Sequence, residues 1–219
     1  MQSVPNFVSL NGPDNVGKTT QLRQLAESWS GFQPLGAIHE HDPGPWASVA
    51  ANGYATWWFE TSTTLELTTM LLAGHAKRAA AGQTGRTGLL DRGLPMLLAV
   101  AAATCVVKDR LAVQEALDAV AGIAGARPTP AETSVLLLPS RDPDRSYAIT
   151  SAREGRPWTG IYPEYQQALH AALLRQADND VYTAVVDCQD RSTDDVYTAV
   201  LGCVSAHLPV TSLKGRGPR

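Results

Sequence analysis

The chain has 219 residues, 44% apolar and 18% charged, a composition that suits a single globular domain with a sizeable core. Its formal net charge of −3 and isoelectric point of about 5.9 argue against a surface built to hold a nucleic-acid polymer. They leave room for a small anionic substrate gripped by a few local Arg and Lys residues.

Phe7-Val8-Ser9-Leu10 is the first apolar strand, and a helix is expected over Thr19–Trp29. Gly36-Ala37-Ile38-His39 reads as a short second strand, followed by a long helix over Thr56–Ala81. Gly88-Leu89-Leu90-Asp91 is the third strand, and Leu94–Ala124 is helical with a possible break. Arg127-Pro128-Thr129-Pro130 reads as a loop before the fourth strand, Val135–Leu138. A helix over Pro163–Ala177, a fifth strand over Tyr182–Asp187 and a last helix over Asp194–Ala206, capped by Ser192 or Thr193, complete the pattern. Short apolar strands alternating with longer helices predict βαβ units and a buried parallel sheet.

Cys105, Cys188 and Cys203 are widely spaced, with no C-x-x-C pair and no metal-ligand pattern, and read as buried free thiols. This fits a reducing, cytoplasmic compartment. No charged segment followed by an apolar one opens the chain, so no signal peptide is expected. The longest apolar run, Leu94–Val107, is interrupted by Thr104 and too short for a bilayer span, so no membrane association is expected. Lys214–Arg219 is a basic, Gly/Pro-rich stretch expected to be a disordered tail after a single domain over 1–213.

Gly12-Pro13-Asp14-Asn15-Val16-Gly17-Lys18-Thr19 matches G-x-x-x-x-G-K-[ST], with a strand before it and a helix after it. In such a loop the glycines let backbone N–H groups converge on phosphate oxygens, and the helix N-terminus adds partial positive charge. The loop from Gly12 through Asn15, Val16 and Gly17 to Thr20 would cradle the phosphates, Lys18 would reach the β- and γ-phosphates, and Thr19 would ligate Mg²⁺. No guanine-reading N-K-x-D tetrad is present, which lowers the GTPase reading.

With these residues in view, the chain resembles the thymidylate kinase and deoxynucleoside kinase superfamily of P-loop kinases over most of its length. Phe7–Asp14 with Gly17–Gln21 is similar to the start of a thymidylate kinase, which implies that Asp14 helps hold the acceptor sugar. His41-Asp42-Pro43-Gly44 stands where that family carries Arg-Glu-Pro-Gly, so Asp42 would lie near acceptor and metal, and His41 replaces an arginine that grips an acceptor phosphate. Glu40 is a second carboxylate available as a base, unless it and Asp42 simply face solvent on a polar turn. The Asp91-Arg92 pair resembles the family's acid near Mg²⁺ and arginine at the transferring phosphoryl group, a role that suits the planar guanidinium fork.

Trp57-Trp58-Phe59-Glu60 resembles an aromatic segment of deoxynucleoside kinases that ends in a base-reading glutamine. Trp57 would stack on the base and Glu60 would read its edge, with core packing as the alternative for the aromatics. Arg153 and Arg156, in a lid over about 142–162, would close over the ATP phosphates. Ile161–Tyr165 followed by Ala168–His170 is similar to the helix after that lid, and Val185–Asp187 with Asp194–Val196 to the family's last strand and turn.

The departures all fall on the acceptor side. The arginine of the helix before the third strand is missing, with Met70 or a neighbour in its place. Gly93-Leu94-Pro95-Met96 follows Asp91-Arg92 without the family's aromatic or serine, and Ala101-Ala102 stand where a Tyr-Gln pair contacts thymine. Arg78, Arg86 and Arg153 could compensate. The resemblance thus implies a three-layer α/β P-loop kinase fold with a five-stranded parallel sheet, helices on both faces and a short lid. It implies phosphoryl transfer from ATP with Mg²⁺ to a nucleoside or nucleoside monophosphate other than ordinary thymidylate, in a homodimer. A P-loop kinase of another small molecule and a non-catalytic ATP-binding module are the alternatives.

Overall fold

The computed structural model describes residues 7–51, 53–125, 131–154 and 158–207. The Arg127–Pro130 loop, Arg156 and the Lys214–Arg219 tail of the sequence reading lie outside the described residues. β1 (Phe7–Asn11) runs into the glycine loop and α1 (Lys18–Ser28). β2 (Phe32–Pro34) leads to α2 (Ile38–His41), α3 (Pro43–Ala51), α4 (Tyr54–Thr56) and a π-helical turn over Trp57–Thr61. Then come α5 (Thr64–Ala80), β3 (Thr87–Asp91), α6 (Leu94–Asp109) and α7 (Val113–Ala124). β4 (Glu132–Leu138), α8 (Pro143–Ala152), α9 (Tyr162–Asp178), β5 (Ala184–Asp187) and α10 (Thr193–His207) follow.

The five strands pair in parallel in the order β2-β3-β1-β4-β5. Side chains alternate across a strand, so Val8 and Leu10 of β1 join Val135 and Leu137 of β4 in a core under α1 and α10. On the other face Leu136 packs with α5, α6, α7 and α9. Ala99, Ala101, Ala102 and Ala103 of α6 are fully buried, and their small side chains let neighbouring helices approach closely. This is the expected three-layer α/β architecture, with the carboxyl ends of all strands at one edge, where open α/β sheets bind ligands.

Several element boundaries differ from the sequence reading. The second strand is Phe32–Pro34, not Gly36–His39: it pairs only with β3, and Pro34 is tolerated because the strand is at the sheet edge. Gly36 turns the chain with a positive φ of 68°, and residues 38–41 wind into a helical turn. The single helix expected over Thr56–Ala81 is interrupted at Ser62, which is extended, and restarts at a capping box in which Thr63 and Glu66 exchange hydrogen bonds. The helix over Leu94–Ala124 breaks at Arg110, in the left-handed region, before α7. Ser192 caps α10 by accepting from the Asp195 N–H at 3.1 Å. The sequence reading assigned no helix to α3 or α8; Asp142 caps α8 by accepting from the Arg145 N–H, with Pro143 at the first helical position.

The face of β1 opposite Val8 and Leu10 carries a buried polar network. Asn11 Nδ2 donates to Ser9 Oγ, Ser134 Oγ and the Val135 carbonyl, and its Oδ1 accepts from the Gly93 N–H at 2.8 Å. Glu132 accepts from Ser9 Oγ and from the Leu94 N–H at the start of α6. Together they pin the turn that follows Asp91-Arg92. Asn11→Ala would strand the Gly93 N–H and the Ser134 hydroxyl in the interior, so we expect a loss of about 1–3 kcal/mol of stability in urea denaturation. A change under about 0.5 kcal/mol, the ordinary range for surface substitutions, would contradict this.

Candidate active site

The glycine loop fills the gap between β1 and α1. Gly12 has φ 137°, and a Cβ there would come within 2.3 Å of the Leu137 carbonyl oxygen, so only glycine fits. Val16 is buried in the core under α1 and anchors the loop, while Gly17 turns it into the helix with φ 106°. Lys18 is 7% exposed and folds back onto its own loop, donating to the Gly12 and Pro13 carbonyls at 2.9 and 2.8 Å. Burial, reinforced by the nearby Arg92 charge, pulls the Lys18 ammonium down to about 8, against the opposing pull of Asp14 and Asp91.

Asp91 ends β3 with its Oδ2 accepting from Thr19 Oγ1 at 3.0 Å, while its Oδ1 is buried without a hydrogen-bond partner among the described residues. An unsatisfied buried carboxylate oxygen beside a hydroxyl is a chemically suitable place for a hard divalent cation, which prefers oxygen ligands. Among the described residues no cluster of three or more His, Cys, Asp or Glu gathers to hold a metal, so a cation here would share its ligands with phosphate oxygens.

Arg92 has a positive φ of 66° and pairs with Asp14 of the loop at 2.5 Å. Burial alone would raise the Asp14 carboxyl, but Arg92, Lys18 and hydrogen bonds from Tyr162 Oη and Gln166 Nε2 outweigh it and hold it below the usual carboxylate range. Arg78 supports Arg92 from beneath. Its fully buried guanidinium donates to the carbonyls of Arg92 at 2.6 Å, Asp91 at 3.0 Å and Gly36 at 3.3 Å. One buried cation thus ties the acidic end of β3 to the loop after β2.

Two cavities meet at this point. A polar one of about 560 Å³ is lined by Asn15, Gly17, Lys18, Thr20, Arg153 and Tyr162 among others. A larger one of about 820 Å³ lies beyond it, with walls that include Trp46, Tyr54, Trp58, Leu71, Leu97 and Val100. Thr19, Asp91 and Arg92 line both. Arg153 donates to the Asn15 carbonyl at 2.8 Å, and Asn15 Nδ2 donates to the Thr150 carbonyl and to Glu154, so the end of α8 lies directly on the phosphate loop.

The structure therefore brings Asp14, Asn15, Gly17, Lys18, Thr19, Thr20, Asp91, Arg92 and Arg153 to one place. Other sequence candidates lie apart from it. Glu40 is exposed and folds its carboxylate against Gly36. His41 Nε2 meets the Leu35 carbonyl, and Asp42 is buried in a 2.6 Å pair with Lys77. Trp57 packs against the core and Glu60 is exposed, and neither lines a cavity.

The ring that enters the larger cavity is Trp58, with Tyr54 stacked at 5.3 Å and Trp46 at 6.3 Å. Trp57–Thr61 forms a π-helical turn, whose wider winding offsets the side chains from the α-helical period assumed for this segment. Nothing in the sequence marked Gln166 or Trp46 as part of the site, and Arg78 was expected only as a compensating acceptor-side arginine, not as the support beneath Arg92.

Because Lys18 holds its proton only below about 8, phosphate affinity should fall as pH rises through that value. Titrating ADP into the free protein from pH 6.5 to 9.5 should show affinity steady below about pH 7.5, then weakening by up to about tenfold per pH unit. Affinity independent of pH up to 9.5 would contradict a phosphate-holding Lys18.

No protein-family model matches the chain, and no curated protein sequence does. Solved structures do match in shape. Thymidylate kinase from Candida albicans superposes with a TM-score of 0.59 at 15% identity, over 93% of this chain and 92% of that one. Deoxyadenosine kinase from M. mycoides, with bound dATP, gives 0.58 at 12% identity, over 91% and 99%. The chain has the P-loop kinase fold that these nucleoside and nucleotide kinases share.

Proposed function

We propose that the protein transfers the γ-phosphoryl group of ATP, with Mg²⁺, to a nucleoside, a nucleoside monophosphate or another small ring-bearing acceptor. The observation that carries this reading is the shared boundary of the two cavities. Thr19, Asp91 and Arg92 face a polar cavity suited to phosphates on one side and an apolar cavity suited to an organic acceptor on the other. The thymidylate and deoxyadenosine kinases of like fold support a kinase over a GTPase or motor.

In this reading Lys18 exchanges its two loop carbonyls for β- and γ-phosphate oxygens, and the loop amides at the start of α1 hold the rest. Thr19 and Asp91 would hold Mg²⁺, which offsets phosphate charge when bound. Arg92 and Arg153 neutralise charge on the transferring group, with Arg156 a further lid cation. Asp91 orients the acceptor hydroxyl toward the cation, and Asp14 orients the acceptor beside Arg92. Glu40 and Asp42 take no part, since Asp42 is already paired with Lys77.

One observation favours the reading in which the acceptor is not a nucleoside: the buried side chains of the larger cavity offer a base edge one donor, the Trp46 indole N–H, and no acceptor. A cytoplasmic homodimer remains part of the proposal by likeness alone. Among the described residues no helix is long and apolar enough to cross a membrane.

The decisive variants are Lys18→Ala and Asp91→Asn, assayed by acceptor-stimulated ADP release after thermal unfolding confirms that each folds. Lys18→Ala should lower kcat/KM by about a thousandfold or more, equivalent to about 4 kcal/mol. Asp91→Asn should lower kcat by about a hundredfold and change ATP binding little. Near-normal turnover in folded Lys18→Ala would overturn the assignment.

A further inference from the structure

The larger cavity divides into two kinds of wall. Its buried lining residues are Trp46, Trp58, Leu71, Leu89, Leu97 and Val100, all apolar in body. Its charged residues are elsewhere: Arg23, Glu27 and His39 are exposed, and Asp91 and Arg92 stand at the junction with the phosphate cavity. The Trp58 indole N–H is already committed to Thr104 Oγ1 at 3.0 Å. The Trp46 indole N–H is buried with no hydrogen-bond partner, so the buried side chains of these walls offer one free donor and no acceptor.

A nucleobase edge carries several donors and acceptors, each of which loses its water on entering such a site. Binding strands them without partners, and a site lacking matching groups discriminates strongly against such a ligand. An apolar ring strands no polar group on entry and gains contact with an aromatic cluster whose rings lie within 6.3 Å of one another. The volume of about 820 Å³ accommodates a body of one or two fused rings.

We infer that the acceptor is a primary alcohol on an apolar, ring-bearing body, seated with its ring against the cluster of Trp46, Tyr54 and Trp58 and its hydroxyl at Asp91 and Arg92. The inference rests on the phosphotransferase reading for the chemistry and on the cavity walls for the class of compound. The hydroxyl oxygen bonds to the γ-phosphorus of ATP as the bond to the β–γ bridging oxygen breaks. ADP leaves with that electron pair, the hydroxyl proton passes to solvent, and the product is a monophosphate ester. The Trp46 N–H leaves a place for one oxygen on the ring system.

Two measurements on the full chain separate this inference from the reading it rests on. Calorimetric titration without ATP compares 2-(2-naphthyl)ethanol with thymidine and deoxyadenosine. ADP release with MgATP, with the ester identified by mass, compares the same compounds as acceptors. The naphthyl alcohol should bind at least tenfold tighter than either nucleoside and show the higher kcat/KM. Tyr54→Ala, which removes a half-exposed ring, should weaken its binding at least fivefold.

Tighter binding of the naphthyl alcohol without any ester product would support the acceptor class and sink the phosphotransferase reading. Nucleosides that bind or react better would overturn the inference and leave that reading standing. Equal binding of both classes, or no binding of the naphthyl alcohol, would also overturn it.

Discussion

The pairing of Arg92 with Asp14 joins two parts of the chain that the sequence keeps 78 residues apart. Arg92 follows the last residue of β3 in a left-handed conformation that a long side chain does not adopt without support. The support comes from all sides: Arg78 holds the carbonyls of Asp91 and Arg92, Asn11 holds the Gly93 N–H and Glu132 the Leu94 N–H. The turn is thereby fixed so that one guanidinium faces the loop carboxylate and both cavities. Move this turn and the polar and apolar cavities lose their common wall.

Burying so many charges in one place has a cost, and the arrangement shows how it is met. Asp14 is shared by Arg92, Tyr162 and Gln166, so the helix after the lid segment is coupled to the same pair. Lys18 occupies loop carbonyls where phosphate oxygens would otherwise compete for it, a low-cost resting state that an anion can displace. Asp91 keeps its Oδ1 buried without a partner at the junction. Unsatisfied buried oxygens are rare because each forfeits a hydrogen bond, and one at the meeting point of two cavities is best understood as reserved for a ligand.

The donor half of the site was legible in the sequence because backbone geometry dictates it. Gly12, Gly17, Lys18 and Thr19 must recur at fixed spacing for the loop to curl, and Asp91-Arg92 must end a strand to reach it. The acceptor half was not legible for the opposite reason. Its aromatic walls come from α3, α4 and the π-helical turn, whose positions depend on tertiary packing rather than on a local pattern. Trp57 and Trp58 are adjacent in sequence, and only the wider winding of Trp57–Thr61 decides which enters the cavity. Asp42 looked like a site residue by position, yet Lys77, 35 residues on, takes it as a partner. Likewise β2 was placed four residues late, because Phe32-Gln33-Pro34 carries a proline that reads as a breaker unless the strand is known to lie at the sheet edge.

We propose a passage of γ-phosphoryl groups from the polar cavity to an oxygen in the apolar one. It is tested most directly by following the γ-phosphorus of Mg-ATP by ³¹P NMR with the protein and a mixed pool of small alcohols and nucleosides. A new phosphate-ester resonance should grow in step with ADP. Phosphorus that stays in ATP, or emerges only as inorganic phosphate at a rate indifferent to the pool, would contradict it.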